Sequence, residues 1–200
     1  MSDEPADELM RATYQALCKH GYADVTMADI AAESEMSKSS IHYHYESKHD
    51  LLTTFLDDLL ASFTARLDDV EGETPREHLS ALVETVLDPS SDEPNREFRT
   101  AVLEMKAQGP YDEAFRSRLE EFDRTLRSHV SDVLAAGVED GTFRHDLDVE
   151  RTADFFVTVF GGAQTRSVAV GRPVEQTRET LERYVETNVV AADVGVEGGQ

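Results

Sequence analysis

Residues 26–52 read TMADIAAESEMSKSSIHYHYESKHDLL, and their spacing decides the fold of the chain. Met27, Ile30 and Ala31 fall on one helical face, the pattern breaks at Ser34-Glu35, and it resumes with Met36, Ile41 and Tyr45. Thr26 and Ser37 stand where helix N-caps belong, since a short hydroxyl side chain satisfies a free amide of the first turn. Ala31 is small where the second helix must cross the first. After Ser47 a new apolar series starts at Leu51 and Leu52. The stretch therefore predicts two short helices around a tight turn, then a third: a helix-turn-helix.

Upstream, Leu9, Ala12, Thr13, Ala16, Leu17 and His20 predict a helix from Pro5 to His20, stopped by Gly21 and covering the helix-turn-helix. Ser2 to Glu4 reads as a frayed acidic start, and Tyr22 and Val25 as a short link. Downstream, the helix capped by Ser47 keeps its apolar spacing to Val70. Thr74-Pro75 opens another helix, stopped at Asp88-Pro89 before a polar loop from Ser90 to Pro94. Further helices are predicted around Phe98–Met105, from Tyr111 to Asp140, from Val149 to Val170 and from Val174 to Ala192. No strand-like alternation of useful length occurs. The fold class is all-α, about nine helices: a three-helix head over residues 1–50, a larger body over 51–192, and a glycine-rich disordered tail over 193–200.

The 200 residues, 40% apolar, suffice for one or two cores. The net charge of −22 runs against a DNA-binding reading, which calls for a basic footprint. Even Met1–Leu52 sets four Lys/Arg (Arg11, Lys19, Lys38, Lys48) against ten Asp/Glu. A high-salt cytoplasm resolves the conflict, because the Debye length shrinks to roughly 3 Å near 1 M salt. Four Lys against fifteen Arg fits such an acidic, Lys-poor, halophilic composition. The competing reading is an acidic protein kept soluble by charge, with a head that has lost DNA affinity. The single Cys18 allows no internal disulfide. No secretion signal opens the sequence, and the longest uncharged stretch, Phe155–Thr165, is too short for a membrane span. The expectation is a cytoplasmic protein with no membrane partner.

A helix-turn-helix lays the N-terminal residues of its second helix near base edges. That places Lys38, Ser39 and Ser40 at the bases, with Lys able to donate to guanine O6 and N7. His42, Tyr43 and His44 follow at phosphate distance, and Thr26 and Lys48 sit at helix N-termini, which favour anionic oxygens. His42 and His44 diverge by about 200° on a helix, so with His49 they make no metal site. Phosphate loops, nucleophile elbows and zinc-protease motifs are absent, and Glu120-Glu121 reads as a solvated helix face. No catalytic residue and no cofactor is expected.

These residues resemble the DNA-binding domain of TetR-type transcriptional regulators. The match runs through Ile30-Ala31, Met36-Ser37, Ser40-Ile41, His42-Tyr43-His44-Tyr45, Ser47-Lys48 and Leu51-Leu52. It departs at Glu35, where the family usually has Gly, and at His42, where it usually has Tyr. Ala136-Gly137-Val138-Glu139-Asp140-Gly141-Thr142-Phe143, followed by Asp148 and Ala153, resembles the family's approach to its penultimate helix.

The resemblance implies double-stranded DNA as partner, met by Thr26, Ser37, Lys38, Ser39, Ser40, His42, Tyr43, His44 and Lys48. It also implies a homodimer joined through the last two long helices, with Ala153, Val157, Gly161, Leu181, Tyr184, Val185 and Val189 on the contact side, beside Phe156 and Phe160. A small-molecule effector would lie among Phe55, Leu59, Leu82, Val86, Phe98 and Val102. Met105, Phe122, Leu126, Phe156 and Phe160 would complete that lining, with Glu104 or Gln164 orienting a polar group. The function so implied is a repressor released from a palindromic operator by its ligand. The alternative is a helical dimer that binds a ligand or protein and has no DNA affinity.

Overall fold

The computed structural model of the chain describes residues 3–87 and 96–192, with side chains from residue 6 onward. Ser2 of the expected frayed start, the stop at Asp88-Pro89, the Ser90–Pro94 loop and the tail from Asp193 lie outside the described residues. Nine helices fill the described residues: α1 (Asp3–Asp24), α2 (Met27–Ala32), α3 (Lys38–His44), α4 (Lys48–Asp68), α5 (Pro75–Leu87), α6 (Arg96–Lys106), α7 (Glu113–Glu139), α8 (Val149–Val170) and α9 (Glu175–Tyr184). The all-α expectation holds; the one β feature among them is an isolated antiparallel bridge between Phe143 and Val190.

Two boundaries differ from those the sequence predicts. Gly21 does take a left-handed φ of 71°, but helical structure resumes beyond it to Asp24. The last helix leaves α-geometry at Tyr184 and finishes in a π-helical turn, Val185–Val189. The cause is non-local: the Arg144 amide donates to the Val189 carbonyl at 2.9 Å and the Ala191 amide to the Thr142 carbonyl at 2.9 Å. These bonds hold the chain extended at Val190.

The contacts divide the chain into two units. The first comprises Met1–Ala65, Pro89–Arg124 and Val168–Gly171. Its core joins Leu9, Ala16 and Leu17 of α1, Ile30 and Ile41 of the helix-turn-helix, and Leu51, Leu52 and Phe55 of α4. Phe98, Ala101 and Met105 of α6 belong to the same cluster, with Phe115 of α7. α6 packs along α1, where the Tyr14 and Phe98 rings lie 4.5 Å apart. Burying each such side chain contributes about 1.5–3 kcal/mol, so α6 and α1 are firmly joined. Six of the side chains expected at a ligand site are here: Phe55, Phe98 and Met105 inside this core, Leu59 and Val102 packed against it, and Phe122 beside Phe63 at 5.7 Å.

The second unit comprises Arg66–Asp88, Thr125–Ser167 and Arg172–Gln200. Leu79, Leu82, Val83 and Val86 of α5, Val130 and Leu134 of α7, and Phe156 and Phe160 of α8 are buried there. Leu82, Val86, Leu126, Phe156 and Phe160, the other five expected ligand contacts, thus belong to this unit's buried set. Gly137 makes room for the Phe143 ring, which a Cβ would meet at 2.1 Å, and Gly141 ends α7 at φ 82°. Of the residues expected at a dimer face, Ala153, Leu181, Val185 and Val189 are buried within the single chain. Val157, Gly161 and Tyr184 keep part of their surface.

Candidate nucleic-acid interface

The helix-turn-helix is assembled from caps. Thr26 Oγ1 accepts from the Asp29 amide at 3.2 Å, and Asp29 Oδ2 accepts from the Thr26 amide at 2.9 Å, closing a capping box on α2. The Thr26 hydroxyl also donates to Asp29 Oδ2 at 2.6 Å. These hydrogen bonds, the hydroxyl's first and the amide's second, hold the Asp29 carboxyl below its ordinary range. Ser37 Oγ accepts from the Ser40 amide at 3.1 Å and starts α3.

Between the helices no left-handed residue is used, although Glu35 stands where glycine is usual. Instead the Glu35 amide donates to Glu8 Oε1 of α1 at 2.7 Å, and the Met36 amide to Ser34 Oγ at 3.2 Å. Two acceptor side chains thus shape a corner that elsewhere needs a left-handed residue.

α3 buries Ile41 completely and turns Lys38, Ser39, His42, Tyr43 and His44 outward. Tyr43 is 86% exposed, and its ring meets the His44 ring edge-on at 5.0 Å. Ser40 is half-buried and Ser37 is occupied as a cap. From Met36 to Tyr45 there is no acid. The face therefore presents one ammonium, hydroxyls and imidazoles, the donor set suited to base edges and phosphate oxygens.

Two expected phosphate ligands are engaged elsewhere. The donors of Thr26 are directed at Asp29, as described. Lys48 is half-buried, and its ammonium donates to the carbonyls of Tyr22 at 3.0 Å and Ala23 at 3.3 Å, lying 5.2 Å from the Tyr22 ring centre. It neutralises the carbonyl end of α1 rather than standing free in solvent.

Other residues found here are not ones the sequence singled out for this role. Glu104, read as a ligand-orienting group, accepts the Tyr22 amide on Oε2 at 2.7 Å. Asp112 caps α7 by accepting the Phe115 amide at 3.1 Å and meets His49 Nε2 at 2.6 Å. The Phe115 amide, with smaller help from His49, holds the Asp112 carboxyl below its ordinary range. Burial, and secondarily Asp112, pushes the Tyr22 phenol up. Gln164, the other polar group expected at a ligand, donates to the Val86 carbonyl at 3.2 Å. Among the described residues no three metal-ligating side chains are grouped, and no helix is long and apolar enough to cross a membrane.

The family described as bacterial regulatory proteins, tetR family, matches residues 9–54, and the BetI-type transcriptional repressor C-terminal family matches residues 75–190. The transcriptional repressor KstR2 of Rhodococcus jostii is 30% identical over 149 residues, covering 72% of this chain and 70% of its own. A TetR transcription regulator from Haloarcula marismortui superposes with a TM-score of 0.87 at 36% identity, covering 94% of this chain and 99% of that one. A choline-bound regulator from Saccharomonospora viridis shares the fold at a TM-score of 0.82 and 23% identity, covering 96% and 100%.

Proposed function

The chain belongs to the TetR family of bacterial regulatory proteins, with a BetI-type repressor C-terminal region, and we propose that it is a homodimeric repressor released from a palindromic operator by a small molecule. Its class is that of DNA-binding transcription regulators, which are not enzymes. It works in the cytoplasm, on the DNA there. The observation that carries the DNA-binding reading is the outward face of α3: in a chain of net charge −22 it has no acid, and it exposes Lys38, Ser39, His42, Tyr43 and His44.

Ligand release is geometric. Two recognition helices must sit about 34–36 Å apart to enter successive major grooves. A small molecule that binds a differently spaced dimer more tightly draws the population off DNA.

Support for the dimer comes from α8. Phe155–Val174 is a run of twenty residues without an acid, yet Phe155, Thr158, Gly162, Thr165, Ala169 and Val170 on it are exposed. Nothing within 4 Å would oppose a Cβ at Gly161 or Gly162, so the fold of one chain does not require these glycines. Their lack of a side chain would let a second copy seat closely there, and two-fold dimers are the commonest assembly. The residues buried in the single chain then support this face from behind.

The head's excess of acids favours one competing reading, a ligand-binding dimer without DNA affinity. Retardation of the DNA upstream of the protein's own gene decides between them. The purified chain should retard it, and Lys38→Ala should weaken binding about tenfold, a typical loss for one base contact, while the dimer persists. Absence of retardation from 50 mM to molar KCl would favour the competing reading.

A further inference from the structure

α3 carries two imidazoles that the fold leaves unmatched. Other histidines of the chain stand beside carboxylates: His49 meets Asp112 at 2.6 Å, His129 meets Asp68 at 2.9 Å, and His20 lies 3.9 Å from Asp29. His42 and His44 are exposed, and among the described residues neither has a hydrogen bond or an ion pair. The acids on the elements around α3 are engaged elsewhere. On α1, Glu8 accepts the Glu35 amide at 2.7 Å; on α2, Asp29 closes its capping box and Glu33 binds Lys19 at 2.6 Å; on α4, Asp50 accepts the Glu46 amide at 3.2 Å. The Lys48 ammonium of α4 is held by the carbonyls of Tyr22 and Ala23. Lys38 stands on α3 itself, and Glu35 and Glu46, both exposed, flank it.

Successive residues of an α-helix are about 100° apart. With Ile41 buried inside the head, Tyr43 points almost directly away from it, and His42 and His44 stand about 100° to either side of Tyr43. A helix with its side chains is about 10–12 Å across and the major groove about 12 Å wide, so α3 laid with Tyr43 toward the groove sets one imidazole against each phosphate wall. A phosphate oxygen accepts hydrogen bonds and does not donate them. Its charge favours the protonated imidazole, in which both ring nitrogens donate. The head has four Lys/Arg against ten Asp/Glu, and Lys38 is the one Lys or Arg on α3. Further positive charge on this helix can come from no residues but these two.

We propose that His42 and His44 bind the two phosphate walls of the operator as imidazolium ions, each drawing one proton from solvent, so that operator binding takes up protons and tightens as pH falls. The proposal rests on the DNA-binding reading above. An imidazole ordinarily changes charge at about pH 6.5, within reach of a modest change of acidity. The complex holds more protons than its separated parts, so the association constant rises with falling pH, and the gain ends where the free rings are already charged. A dimer presents four such rings. Acidification therefore fastens this chain to its operator, without any small molecule.

The test measures the dissociation constant of the full-length wild type on the upstream DNA at pH 8 and pH 6, beside His42→Gln, His44→Gln and the double variant. Gln stays neutral at both pH values and keeps an N–H donor. The wild type should tighten about a hundredfold from pH 8 to pH 6, roughly threefold for each of four rings. Each single variant should tighten about tenfold, because rings on opposite walls act independently, and the double variant less than about threefold. The slope of log K against log salt should steepen from about −2 at pH 8 to about −5 at pH 6 in the wild type and stay near −2 in the double variant. Calorimetry of the wild type in two buffers of different ionisation enthalpy needs no variant, and should count about one to two protons taken up per dimer at pH 7. A wild-type affinity independent of pH, with no proton uptake, would overturn the proposal and leave the DNA-binding reading standing. Equal tightening in the wild type and the double variant would do the same, since the titration then lies elsewhere. No binding at any pH or salt overturns both.

Discussion

Glu35 shows how one residue departs from a pattern without strain: the corner usually made by glycine is held by Glu8 and Ser34 instead. The same economy of carboxylates recurs at Asp29, Asp50 and Glu104, each accepting a backbone amide. With Glu8, Asp29 and Asp50 so engaged, three of the head's ten acids are structural. Asp58 is the exception. Burial, and then the like charge of Asp7, push its carboxyl above the ordinary range. A raised folded-state value means the ionised form is disfavoured in the fold, so the penalty is present above that value and vanishes below the unfolded value, about 3.9. Asp58→Asn should then raise Tm at pH 7 by about 1–2 °C, allowing for solvent screening, and leave it unchanged near pH 3. Differential scanning calorimetry at the two pH values checks the sign. The caps at Thr26 and Ser37 were legible in the sequence because a cap bonds an amide three residues on. The partners of Glu35 and Tyr22 were not, because they lie 27 and 82 residues away.

Among elements, periodicity located the helices, since burial on one face imposes it. What it missed were ends decided from outside. The final turn of α9 becomes π-helical because Thr142 and Arg144 bond the chain around it, and nothing within Val185–Val189 announces that. Periodicity also marks a residue as apolar-facing without saying which chain it faces; Ala153 and Val189 are core, whereas Phe155 is left 42% exposed. Glycines discriminate further. Gly137→Ala brings a Cβ against the Phe143 ring, and overpacking of about 1–3 kcal/mol outweighs the helix-propensity gain of about 1. Its Tm should fall by about 3 °C in thermal melts, while Gly162→Ala, with open space around it, should not lower Tm at concentrations where the chain is monomeric. Equal losses at both positions would contradict the packing described.

For the whole molecule, charge and assembly are the properties that single residues do not reveal. The exposed residues of α8 from Phe155 to Val170, a stretch without an acid, carry the dimer reading, so Thr158→Glu, which sets like charges beside each other across the two-fold, should yield a folded monomer by light scattering where the wild type is a dimer. A mutant that stays dimeric would move the interface elsewhere. The central claim is that an acidic chain reads DNA through one acid-free helix rather than a broad basic footprint. Each phosphate neutralised by a cation contributes about −0.9 to the slope of log K against log salt, and Lys38 is the one Lys or Arg on α3. The direct test is the dissociation constant for the upstream DNA, measured from 50 mM to 2 M KCl. Binding should persist into molar salt with a shallow slope of about −2 for the dimer; no binding at any salt, or a slope of about −6 or steeper, would contradict reading through α3 alone.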